Sequence, residues 1–363
     1  MKRRISIGLA VVLLAAVVVT IIIQSGGDDG PAQPQVATVH GVGGSEKAAF
    51  FADERVVRAF AGHGLKVEFD SAGSRQIATT VDLSRYDFAF PSSTPAAQKI
   101  QQDKKITTVY TPFFSPMAVA TFAPIVDLLT AQGIVRNGPG NYQVLDIAKY
   151  LELTGKATRW DQLPNNTAYP ARKNVLITTT DPRNSNSAAM YLSAASFVAN
   201  GNNVVSTPEA EAKVLPEMTK LFLDQGYTQN SSEGPFEDYL AAGMGKSPLV
   251  MIYESQYVDR EVRGDGSIQP TMRLLYPSPT VLSKHTLIPL KGAGDQVGRL
   301  LSTDPELVKL AAQFGFRTSD PKVFTQLVAD HKLAVPTDLV DVVEPPSYET
   351  LERMLDAIGK QYR

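Results

Sequence analysis

Small polar residues recur at one kind of place in this sequence. Gly44-Ser45, Gly73-Ser74, Ser92-Ser93 and the stretch Asn184 to Ser187 each fall between a strand-like run and a helix-like run. A helix start presents unpaired backbone N–H groups and the positive end of a dipole. Serine hydroxyls add donors, and glycine allows close backbone approach. Such a set suits a polar ligand, in particular one carrying an anionic group. Arg75 and Arg183 lie inside two of these turns. A guanidinium there either pairs bidentately with an oxyanion or is solvated. Tyr253 and Glu254 end the apolar run Leu249–Tyr253, and Glu254 either accepts from an amine or caps a neighbouring turn. Each turn alone is also an ordinary helix N-cap. Their recurrence is what points to a binding site. The expected ligand set is Gly44, Ser45, Gly73, Ser74, Arg75, Ser92, Ser93, Arg183, Asn184, Ser185, Tyr253 and Glu254.

Other chemistries lack their residues. The 363-residue chain has no cysteine, which removes disulfides, thiolate zinc sites, iron–sulfur clusters and cysteine nucleophiles. The four histidines (His40, His63, His285, His331) are far apart, so no metal site is expected. Leu240 to Ser247 (LAAGMGKS) resembles a phosphate-cradling loop but has Leu240 where the first glycine belongs, and Pro248 follows it. No catalytic set and no cofactor are expected. The net charge of -2 argues against nucleic acid, which needs a basic face.

The elements that must position these turns alternate between strand and helix. Strand-like runs at 36–40, 65–69 and 86–90 are each followed by a polar turn and then a helical pattern, the first over 46–62. This alternation predicts parallel pairing with helices on the faces. Two long apolar runs broken by prolines, 107–121 and 273–290, read as crossovers between lobes. Residues 125–163 read as mainly helical and 175–180 as a buried strand. A helix is expected over 208–225, and three more close the chain at 295–301, 305–314 and 348–362.

The chain begins with Lys2-Arg3-Arg4 followed by an uncharged run from Ile5 to Ile23. Nineteen residues come close to spanning a bilayer, and the basic cluster belongs on the cytoplasmic side. The exit Ile21-Ile22-Ile23-Gln24 lacks the small residues of a cleavage site, which favours an uncleaved anchor over a cleaved signal. Residues 24–35 (QSGGDDGPAQPQ) read as a flexible tether.

Taken with GVGGSEKAAF, SAGSRQIATTVDL and FAFPSST, this arrangement resembles the type 2 periplasmic-binding-protein family, over roughly residues 36–316. Those three loops are similar to the loops of phosphate-type and other oxyanion-binding members, although DPRNSNS departs from the usual D-G-S-G-T-like form. YPSPTVLSKHTLIPL and VVEPPSYETLERMLDAIGK resemble actinobacterial membrane-anchored binding proteins, some fused to a von Willebrand factor A module. That module's D-x-S-x-S motif is missed by one register at Asp70 to Ser74.

The resemblance implies a two-lobed α/β fold, each lobe a mostly parallel sheet with flanking helices, joined by two crossovers. The expected division is 1–23 anchor or signal, 24–35 linker, 36–115 lobe 1, 116–275 lobe 2, and 276–363 the return to lobe 1 with the C-terminal helices. The expected hinge lies near 111–116 and 276–280. The function implied is extracellular capture of a small-molecule ligand, with the N-terminal helix in the membrane and an ABC permease or other membrane protein as partner. The alternative is a cell-surface interaction module on the same scaffold.

Overall fold

A computed structural model describes residues 36–226, 228–339 and 341–362. The proposed anchor and tether lie outside these residues. Among the described residues no helix is long and apolar enough to cross a membrane.

Among the described residues eleven strands build one sheet. In chain order they are β1 (Ala37–Gly43), β2 (Leu65–Ser71), β3 (Phe88–Phe90), β4 (Tyr110–Phe122), β5 (Val135–Asn137) and β6 (Gln143–Asp146). Then follow β7 (Val250–Tyr253), β8 (Met272–Ser278), β9 (Thr280–Pro289), β10 (Arg317–Thr318) and β11 (Val342–Val343). The order along the sheet is β2-β1-β3-β9-β4-β8-β6-β5, with β7 and β10 also on β4 and β11 on β9. β1, β2 and β3 pair in parallel, as do β6 and β8. The long strands β4 and β9 run antiparallel to each other and link the two halves.

Among the described residues there are three hydrophobic clusters; the smallest gathers Val42, Ile77, Ala89 and Ile288, and the two larger ones mark the two lobes. One gathers Val39, Phe50, Phe60, Phe88 and Phe90, and Leu307 and Phe316 from late in the chain. The other gathers Val119, Ile125, Tyr150, Leu192, Phe222 and Ile252, and Met354 and Ile358 of the C-terminal helix. β4 runs through both: Phe113 belongs to the first core and Met117 to Phe122 to the second. β9 does the same in reverse, with Val281 in the second core and Leu287 in the first. The change of core falls where Ser115 faces Ser283 and Pro116 faces Leu282. Pro112 cannot donate to a ladder, and the β4–β9 register shifts between Tyr110 and Phe113, around it.

Several elements differ from expectation for local reasons. The expected helix over 46–62 is divided into a 3-10 turn (Ser45–Lys47) and helices Ala48–Ala52 and Glu54–Gly62. Asp53 makes the break: its backbone is extended and its side chain accepts from Arg55 N, so it caps the second helix. The stretch expected to be mainly helical holds the hairpin β5–β6, turning through Asn137-Gly138-Pro139-Gly140-Asn141. The expected strand at 175–180 makes only an isolated bridge, Thr178 to Val250. A helix at Pro321–His331, with Asp320 as its cap, was not anticipated.

Candidate functional site

The carboxyl ends of β1, β2 and β3 point their turns at one place. After β1, Gly44 is extended and a 3-10 turn begins at Ser45. After β2, Gly73 precedes the short helix Ser74–Thr79. After β3, Ser93 caps the helix Thr94–Lys104, accepting from Ala96 N. The second lobe faces these turns with the start of helix Asn186–Ala199, the loop 230–232 and Tyr253 at the end of β7. Between them lies a cleft of about 220 Å³. Seven of the expected residues line it: Gly44, Ser45, Gly73, Ser74, Ser92, Ser185 and Tyr253.

Hydrogen bonds tie the floor of this cleft together, and that from Asn186 to Ser92 joins the lobes. Asn186 Nδ2 donates to Ser92 O at 2.9 Å and to the Tyr253 hydroxyl at 3.1 Å. Ser283 Oγ also donates to Ser92 O, at 2.6 Å, and Ser92 N donates to Ser74 Oγ at 3.0 Å. Burial, and then the charge of Glu46, push the Tyr253 phenol well up, so it stays a neutral hydroxyl. At the rim the two backbones nearly touch: a Cβ on Gly73 would lie 2.7 Å from Asn184 O.

The remaining expected residues take other roles. Arg75 is not free for a ligand. Its Nε donates to Glu352 at 2.7 Å, its Nη2 to Glu352 at 2.6 Å and Asp356 at 3.0 Å, and its Nη1 to the carbonyls of Pro182 and Arg183 at 2.9 and 2.6 Å. It latches the first lobe to the second instead. Arg183 turns back onto Asp181, with Nε 2.9 Å from Oδ1, and lies over the Tyr362 ring. Asn184 Nδ2 reaches Asn230 at 3.3 Å. Ser93 serves as a cap. Glu254 is fully buried and paired with Arg317 (2.7 and 2.8 Å), and it also accepts from the Tyr276 hydroxyl. In each charged case an internal partner of opposite sign claims the side chain that the turn position alone assigned to a ligand.

One charged cluster at the cleft was not anticipated. Lys47 is completely buried, and its Nζ donates to Glu46 Oε1 at 2.6 Å, Ser92 Oγ at 2.6 Å and His285 Nδ1 at 3.2 Å. Ser92 Oγ also donates to Glu46 Oε1. Burial alone would raise the Glu46 carboxyl. The Lys47 ammonium and the hydrogen bonds from Lys47 and Ser92 overcome this and hold it at about 2. Burial and the neighbouring Lys47 push His285 well below its ordinary value, so the imidazole is neutral. Its Nδ1 accepts from the ammonium, which leaves the proton on Nε2, an atom without a polar partner among the described residues. The sequence carries a signal for Glu46 and Lys47, since they follow Gly44-Ser45 directly. It carries none for His285, which is 238 positions from Lys47. A lysine beside a serine also suggests nucleophile activation. Here both the ammonium and the hydroxyl are committed to Glu46, so the set lacks a free base.

No protein-family model matches the chain, and no curated protein sequence is similar to it. Solved structures do match its fold. The sulfate-binding protein SubI from Mycobacterium tuberculosis H37Rv superimposes with a TM-score of 0.52 at 16% identity, over 87% of this chain and 96% of that one. The periplasmic binding protein AfuA from Actinobacillus pleuropneumoniae, with fructose-6-phosphate bound, gives 0.55 at 13% identity over 90% and 98%. The ferric binding protein from Campylobacter jejuni gives 0.55 at 11% identity over 90% and 100%. The chain has the two-lobed α/β fold of the type 2 periplasmic binding proteins.

Proposed function

We propose that this chain is an extracytoplasmic solute-binding protein that captures a small polar molecule between its lobes. The observation that carries the reading is the cleft itself. Strand-end turns of one lobe face a helix start of the other across about 220 Å³ of space lined by hydroxyls, amides and backbone. Ligands of open α/β folds sit at the carboxyl ends of strands, and this cleft is at that place. An open polar cleft also favours solute capture over an interaction module whose cleft is filled. The named ligands of the similar structures are small solutes held by binding proteins.

The basic start and apolar run of residues 2–23 support an anchored form with the folded part outside the cell. An ABC permease is the partner that such a binding protein would serve, and a sensing role uses the same closure. Closure works by a hinge where β4 and β9 pass from one core to the other. A titration calorimetry screen of sugars, amines, amino acids and oxyanions tests the reading. A saturable heat that vanishes when Ser45→Trp fills the cleft supports it. Heat that survives this substitution places binding elsewhere.

A further inference from the structure

Among the described residues Glu46 is the only charged side chain on the wall of the cleft. Its own side chain is 8% exposed. Both of its protein hydrogen bonds go to Oε1, and no described group donates to Oε2. The counter-charge, Lys47, stands behind it and is completely buried, so the cleft meets the negative end of the pair. Glu46 also borders a second chamber of about 290 Å³ that continues the groove past Arg260 and Arg263. Both arginines are already matched by carboxylates: Arg263 reaches Asp259 at 2.7 Å, and Arg260 pairs with Glu237. Among the described residues the groove therefore offers an ionised carboxylate oxygen without a donor, and no cation free to receive an anion.

We infer that Glu46 selects the solute: the ligand presents a hydrogen-bond donor, a hydroxyl or an ammonium, to Glu46 Oε2. This rests on the solute-binding reading and narrows it. A fully deprotonated oxyanion brings only acceptors, and it would set them against a carboxylate in a partly desolvated space. A hydroxyl or ammonium completes the coordination of Oε2 with a charge-assisted hydrogen bond. The surrounding Ser, Asn and Gln side chains both donate and accept, and accommodate the rest of such a molecule.

The test compares wild-type protein with Glu46→Gln and with the pair E46Q/K47M, using myo-inositol, ethanolamine and sulfate as probes in a thermal-shift and calorimetric titration. E46Q alone leaves Lys47 buried without its counter-charge and can fail to fold. The pair removes both charges and keeps the comparison informative. The expected result is that inositol or ethanolamine binds the wild type and sulfate does not. Affinity for the donor-bearing probe should then fall about tenfold or more in E46Q/K47M. Inositol and ethanolamine separate the hydroxyl source from the ammonium source. Sulfate binding to the wild type, or donor binding indifferent to E46Q/K47M, overturns the role of Glu46 and leaves solute binding standing. No response to any probe in any variant counts against both.

Discussion

Arg317→Met removes the cation that faces Glu254 in the protein interior. The two side chains are 5% and 0% exposed, and they share two hydrogen bonds of 2.7 and 2.8 Å. Arg317 also donates to the carbonyls of Pro336 and Thr337 and lies over Phe324, so it ties the segment after Lys332 to the strand β10. Methionine fills much of the volume but leaves the Glu254 carboxyl buried and held only by the Tyr276 hydroxyl. Breaking a buried pair from one side costs about 3–5 kcal/mol. For a chain of this size that is a drop of roughly 4–7 °C in Tm. Thermal unfolding followed by circular dichroism reads it directly. The double variant E254Q/R317M removes the stranded carboxyl and should recover at least half of the loss. A shift of less than about 2 °C in R317M refutes the structural assignment of Glu254. So does an E254Q protein of wild-type stability that no longer binds solute, because that outcome returns Glu254 to the ligand.

Three further outcomes follow from the site. Arg75→Met releases the latch to Glu352 and Asp356, which favours the open arrangement of the lobes by roughly 1–3 kcal/mol; small-angle scattering should show a larger radius of gyration, and an unchanged radius would mean that the latch does not hold the lobes. Gly73→Ala places a methyl group 2.7 Å from Asn184 O, so it should wedge the cleft rim and weaken solute binding with little loss of Tm; wild-type affinity in this variant would show that the rim has slack. Stability should fall in two steps on acidification. His285 is held neutral in the fold but protonates from about pH 6.5 in the unfolded chain, so the loss begins there, with a slope of about 1.4 kcal/mol per pH unit. Glu46, held at about 2, contributes stability that is fully present above about pH 4.5 and is lost as the pH falls toward about 2. His285→Gln should flatten the first step, and a Tm profile unchanged by it would contradict the buried neutral imidazole.

The alternation of strand, polar turn and helix is a local pattern, and it located Gly44, Ser45, Gly73, Ser74 and Ser92 at the cleft without knowledge of the packing. Besides Ser93 and Asn184, the residues it assigned differently are the charged ones, Arg75, Arg183 and Glu254. Arg75 meets Glu352 across 277 positions and Glu254 meets Arg317 across 63, and no local window contains both members of either pair. A charged side chain at a turn is ambiguous until its partner is known, whereas a glycine or a hydroxyl at a helix start has a role fixed by its neighbours. The hairpin β5–β6 was obscured for another reason. Its strands are three and four residues long, too short for a period of two to stand out from the helices on either side. Asn230, Ser231 and Ser232 escaped notice because they reach the cleft from a loop that follows no strand.

The central claim is that the cleft holds a solute, and thermal unfolding of the full chain across a panel of polar solutes, with Ser45→Trp alongside, tests it most directly. A solute at ~100 times its Kd should add roughly 2.7 kcal/mol to the stability of the wild type. The account predicts that one chemical class raises the Tm of the wild type and leaves that of Ser45→Trp unchanged. A panel without effect on the wild type, or a shift equal in both proteins, would contradict it.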